Sequence, residues 1–110
     1  MSVEMRPGLD GIARRILDEL VRHAESNTLD RWMELILGVE RTQVRSGDRW
    51  ETVALRFMRT SGGPNIYVTV NASGIVRVEV YWGQSHVLVE DLGPDGKDLF
   101  DELRRLVEGE

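Results

Sequence analysis

Residues 65–92 contain two turn signals that together fix the registers of three successive strands. Asn71-Ala72-Ser73-Gly74 fits a type I turn followed by a left-handed glycine at the bulge position. That turn sets Val70 opposite Val76, Val68 opposite Val78 and Ile66 opposite Val80. Gly83-Gln84 suits a two-residue II′ loop. It sets Val80 against Val87, Val78 against Val89, Tyr81 against His86 and Arg77 against Glu90. Side chains alternate along a strand, so a slip of one residue would turn every one of them over. Both turns nevertheless place the same residues on one apolar face: Ile66, Val68, Val70, Val76, Val78, Val80, Val87 and Val89. The other face carries Tyr67, Thr69, Arg77, Glu79, Tyr81, His86 and Glu90. The first face must be core, and any function of the sheet is expected on the second.

The rest of the chain supplies what covers that core. After a short N-terminal arm ending at Pro7-Gly8, apolar residues recur at Leu9, Ile12, Ala13, Ile16, Leu17, Leu20, Val21 and Ala24, the stripe of an amphipathic helix. Ser26-Asn27 breaks the pattern. Thr28 then stands where an N-cap belongs, with Asp30 in the first turn. Leu29, Trp32, Met33 and Ile36 form a second, shorter stripe over 28–37, with Gly38 as its C′ stop. From Val39 the period shifts towards 2. Val39 to Ser46 and Trp50 to Thr60 read as strands joined at Gly47-Asp48. By parity the second sets Val53, Leu55 and Phe57 on one side, and Thr52, Ala54, Arg56 and Met58 on the other. The turn choice leaves open which face Val44 takes. Pro94-Asp95-Gly96 reads as a turn, and Asp95 or Asp98 can cap a last helix whose stripe is Leu99, Phe100, Leu103, Leu106 and Val107. The expected class is α+β: two N-terminal helices, a five-stranded antiparallel meander and a C-terminal helix, with the helices packed on one sheet face. The chain is read as a single domain over 1–110, with 1–8 as a flexible arm.

Composition limits the function classes. At 110 residues, 41% hydrophobic and 30% charged, the chain has room for one core. Cysteine is absent, which excludes disulfides and thiolate metal sites. No apolar run approaches the ~18 residues needed to cross a bilayer. The first eight residues lack the apolar stretch of a signal peptide. A soluble, cytoplasmic protein with no membrane partner is therefore expected. The net charge of -5 argues against a dedicated duplex-DNA binder, which presents a basic field. Lys97 is the only lysine among 14 basic residues. That bias fits a GC-rich genome, or selection for arginine's planar fork at interfaces and in ion-pair networks.

Motif by motif, chemistry is scarce. Counting Asp91 as position 1, Asp95, Gly96 and Glu102 fall at positions 5, 6 and 12 of a calcium loop. Gly93 leaves position 3 without a ligand, however, Pro94 follows it, and Asp98 occupies a slot that is usually aliphatic. A strand-to-helix turn with acidic capping explains the segment more simply. His23 is expected in solvent on the polar side of the first helix. His86, opposite Tyr81 and near Glu79 and Glu90, has the neighbours of a general base or metal ligand, but a cross-strand aromatic pair accounts for it. Asn71-Ala72-Ser73 matches a glycosylation sequon for which the turn role suffices. No nucleophile elbow or phosphate loop is present. No catalytic residue, metal site or cofactor is expected.

What remains is a constellation of Arg56, Tyr67, Arg77, Tyr81 and His86 on the mixed face, with Trp50, Met58, Ile75 and Leu88 on or near it by parity. Rings and guanidinium groups on an open sheet can stack the bases of single-stranded nucleic acid. Protein interfaces enrich the same residue types. Glu79 and Glu90 stand among them and would repel phosphates. The expected function is therefore a small non-enzymatic interaction module, binding a protein partner or a second copy as a homodimer through this face or a sheet edge. Single-stranded nucleic-acid binding is the alternative.

The helix–meander–helix order resembles that of frataxin-like iron-handling proteins, in which two helices back an antiparallel sheet, and metal handling is the third reading that this resemblance implies. It is confined to topology. The extra helix at 28–37 departs from the pattern, the family's characteristic sheet segment is not found, and Arg14, Arg15 and Arg22 dilute the acidic ridge of its first helix. A likeness at the level of fold carries no activity with it.

Overall fold

The computed structural model describes residues 8–92 and 96–109. Of the expected arm over 1–8 all but Gly8, and of the expected turn over 94–96 all but Gly96, lie outside the described residues, as do Asp95 as a cap and the middle of the calcium-like spacing. The elements run α1 (Leu9–Glu25), α2 (Leu29–Met33), β1 (Gly38–Ser46), β2 (Arg49–Thr60), β3 (Asn65–Asn71), β4 (Ile75–Trp82), β5 (Ser85–Leu92) and α3 (Gly96–Glu108). The strands form one antiparallel sheet in sequence order, β1-β2-β3-β4-β5. This is the α+β meander expected from the pattern. No helix among the described residues is long and apolar enough to cross a membrane.

The turn chemistry sets the registers as deduced. Gly74 has φ +91°, and the side chain of Asn71 accepts hydrogen bonds from the amides of Ser73 and Ile75. Val70, Val68 and Ile66 accordingly face Val76, Val78 and Val80. Gly83 has φ +62° while Gln84 keeps a negative φ, which is the II′ combination. Val80 and Val78 then face Val87 and Val89, Tyr81 faces His86, and Arg77 faces Glu90.

All three helices close over the apolar face. The core joins Ala13, Leu17 and Leu20 of α1, Leu29 and Trp32 of α2, and Phe100 and Leu103 of α3 to the inward residues of β2–β5. α1 lies on β4 and β5, and α3 on β2 and β3. Two stripe residues, Val21 and Leu106, fall at the margins of their helices and are exposed. The second helix is a single turn. Thr28 precedes it without a side-chain cap, because its hydroxyl bonds Nδ1 of His23 at 2.8 Å. His23 is therefore half-buried and bonded at the end of α1, not solvated. Gly38 opens β1 and does not stop α2, since the amide of Leu37 already donates to the carbonyl of Met58 across the sheet.

β2 departs from simple alternation twice. Thr42 pairs with Ala54 but Gln43 pairs with Thr52, so Val53 is an extra residue. Met58 pairs with Tyr67 but Thr60 pairs with Ile66, so Arg59 is another. A bulge re-aims the side chains beyond it. Thr52 and Trp50, assigned by parity to the mixed face, are turned to the helix side. There the Thr52 hydroxyl donates to Oε2 of Glu108 in α3 at 2.7 Å. Arg59 likewise reaches α1 and donates through Nε and Nη2 to the two oxygens of Glu19, at 3.1 and 3.2 Å. Each bulge thus fastens one end of β2 to a different helix. Val44, opposite Glu51, lies on the mixed side and is exposed.

Candidate functional site: an ion-paired aromatic sheet face

The registers assemble the mixed face in rows across the strands. One row runs Glu40, Arg56, Thr69, Arg77, Glu90 from β1 to β5. The next runs Met58, Tyr67, Glu79, Leu88, and the third sets Asn65, Tyr81 and His86 side by side. With every helix on the other side, these residues are half-buried by one another or exposed.

Four of the five residues singled out from the sequence form one connected cluster. The Arg56 guanidinium lies over the Tyr67 ring, 4.0 Å from its centroid. Tyr67 meets Tyr81 edge-on, with centroids 6.0 Å apart and planes at 76°. Tyr81 stacks on His86 at 4.3 Å and 12°. A cation over a ring and offset or edge-on ring pairs are the arrangements the aromatic quadrupole favours. The fifth residue, Arg77, stands apart from this cluster and pairs across the strands with Glu90.

Glu79 is the residue that joins the cluster, whereas sequence reasoning weighed it as a carboxylate near His86 and as a neighbour that would repel phosphate. Its Oε1 lies 3.5 Å from Nη2 of Arg56, and its Oε2 accepts the Tyr81 hydroxyl proton at 2.8 Å. The signal was present in the strand period. Glu79 opposes Tyr67 and lies two residues from Tyr81, so all three must share a face. Its charge has a measurable consequence. The hydrogen bond to Glu79 pushes the Tyr81 phenol above its usual range, with desolvation and the nearby carboxylate charge acting in the same direction.

Arg56 also lies 3.8 Å from Glu40. Arg56 and Arg77 are therefore both engaged by carboxylates, and since Arg49 and Glu51 beyond the β2 bulge offset each other, Glu40, Glu79 and Glu90 leave the face without an excess of positive charge. A phosphate chain would have to displace these acids to bind. For a metal ion the face offers dispersed carboxylates, and among the described residues no group of three or more His, Cys, Asp or Glu is arranged to hold one. The arrangement suits a partner with its own mixture of apolar and polar groups. Comparison with known proteins finds no matching family model, no similar curated protein and no similar solved structure.

Proposed function

We propose that this chain is a small, non-enzymatic interaction module that binds a protein partner, or a second copy of itself, through the mixed face of its sheet. The observation that carries this reading is the combination of a sheet face that no helix among the described residues covers with charges that are already paired. Strands spaced ~4.8 Å apart and rising ~3.4 Å per residue give five strands of about eight residues a face of roughly 650 Å². That approaches the ~800 Å² per partner of a standard interface. Tyrosine and arginine are residue types on which binding energy concentrates. The ion pairs within the face lower the desolvation cost of covering it with protein and remove the attraction it would have for phosphate. A cytoplasmic setting is part of the proposal.

The test is light scattering of the purified protein, alone and with interacting proteins recovered on it as bait. A dimer or a defined complex is expected, and Tyr81→Glu should dissociate it without loss of the fold. A monomer that retains no partner counts against the proposal. A salt-dependent affinity for a single-stranded oligonucleotide, abolished by Arg56→Glu, would overturn it in favour of nucleic acid.

A further inference from the structure

On the helix side, the outer part of the β1–β2 hairpin and α3 enclose a polar cleft of about 690 Å³ that is separate from the mixed face. At its centre is a cradle for an oxyanion, occupied by a carboxylate of the chain itself. Glu108 Oε2 accepts the Thr52 hydroxyl at 2.7 Å and Nη1 of Arg41 at 3.3 Å, while Oε1 accepts Nη1 of Arg104 at 3.3 Å. Gln43 Nε2 donates to the Thr52 oxygen at 3.3 Å and fixes the direction of that hydroxyl. Thr52 is 8% exposed, so the cradle has a buried floor. Trp50 forms the outer wall, 62% exposed, with the Arg45 guanidinium 5.7 Å from its ring centroid.

Two features point to exchange of the internal carboxylate for an external anion. Glu108 sits in the last turn of α3, where the helix dipole disfavours negative charge and the backbone frays most readily. The backbone that carries the cradle's donors does not depend on Glu108, because Thr52 and Arg41 belong to the hairpin and Arg104 lies one turn inside the helix. Around the cleft Arg41, Arg49 and Arg104 balance Glu51, Asp101 and Glu108, so withdrawal of the Glu108 carboxylate leaves one net positive charge for an incoming anion. Thr52 and Trp50 are two residues apart on one strand face, a separation of about 7 Å. That spacing suits an anion attached to a planar ring.

We propose that this cleft binds a small ligand bearing a phosphate or carboxylate on a planar ring system, the anion held by Arg41, Thr52 and Arg104 and the ring by Trp50, in competition with Glu108. The test is an NMR titration of the ¹⁵N-labelled chain with adenosine 5′-monophosphate and with 1-naphthoate, which separates the phosphate from the carboxylate source, and with adenosine as the uncharged control. Saturable shifts of the Trp50 indole are expected with at least one of the two anions. Glu108→Gln should tighten that binding by about tenfold, Arg41→Gln should weaken it about fivefold, and adenosine should bind at least about tenfold more weakly. Absence of saturation with both anions in wild type and Glu108→Gln would overturn the proposal, as would a variant that binds no more tightly or adenosine binding as well as the anions. Should Glu108→Gln fail to fold, Arg41→Gln decides. Its guanidinium is half-exposed, and unchanged affinity in that variant sinks the proposal.

Discussion

Replacing Trp32 with phenylalanine is expected to leave the protein almost as stable as before, although the indole is fully buried. Trp32 packs edge-on against Phe57 with centroids 5.2 Å apart, at the point where α2 meets β2. Its Nε1–H is buried and has no hydrogen-bond partner among the described residues. Phenylalanine removes roughly 40 Å³, which costs about 1 kcal/mol as a residual cavity. The ~40 Å² of apolar burial lost with it costs about 1 kcal/mol more. Against this, removing an unsatisfied buried donor relieves ~1–3 kcal/mol. The two nearly cancel, so the net change is expected within about 1 kcal/mol. Alanine, which loses the ring contact as well, should cost ~3–5 kcal/mol. Urea unfolding followed by circular dichroism measures both. A loss above about 2.5 kcal/mol for Trp32→Phe would refute the reasoning, because it would mean that the indole donor is satisfied in the folded protein.

Other outcomes follow from the same contacts. The hydrogen bond from Thr52, aided by Arg104 and Arg41, holds the Glu108 carboxyl below the usual carboxylate range. Its folded-state value is depressed, so its stabilisation is present above the unfolded carboxylate pKa and is lost as pH falls through the folded one. Urea midpoints measured against pH should therefore show an acid-side decline that is shallower in Glu108→Gln. Tyr81 has the opposite sign: its phenol is raised, so its contribution is complete below the usual tyrosine pKa and is lost as pH rises through the folded value. Ultraviolet titration of Glu79→Gln should show Tyr81 ionising at lower pH than in wild type. Gly83→Ala forces an L side chain to φ +62° and should cost about 1 kcal/mol, with Gly83→Asn costing less; thermal unfolding of the pair distinguishes this from a general loop effect.

The strands from 65 to 92 were readable because their constraints are local. Asn71, Gly74 and Gly83 determine turn geometry within a few residues, and turn geometry determines which valines face each other. The same logic brought Tyr67, Tyr81 and His86 together. It failed in β2, where Val53 and Arg59 are bulges without a distinguishing residue type. The bulges answer to partners far along the chain, Glu108 for Thr52 and Glu19 for Arg59, and strand parity has no access to those. Trp50 was misplaced with Thr52 for the same reason. α2 was overextended because Ile36 continues its apolar spacing, whereas pairing of Leu37 with β2 draws the backbone into the sheet. The Glu108 cradle joins residues from β1, β2 and α3, so no local pattern could reveal it.

β1 has a consequence for how this domain comes apart. Every one of its residues is exposed, β2 is its single neighbour in the sheet, and its Arg41 is tied to α3 through Glu108. β3 and β4, by contrast, are paired on both edges and carry the fully buried valines. Local opening free energies in a folded protein range from near zero up to the global value, in contiguous units. β1, the hairpin tip and the last turn of α3 are expected to open as such a unit, since Glu108 bonds both Arg41 and Thr52. Their amides should exchange with solvent hydrogen together and well before those of β3 and β4, and the gap between the two groups should narrow when an anion fills the cleft. Such a chain would have a rigid centre with one releasable edge, whose opening exposes the edge of β2 and leaves the Tyr67–Tyr81 contact in place.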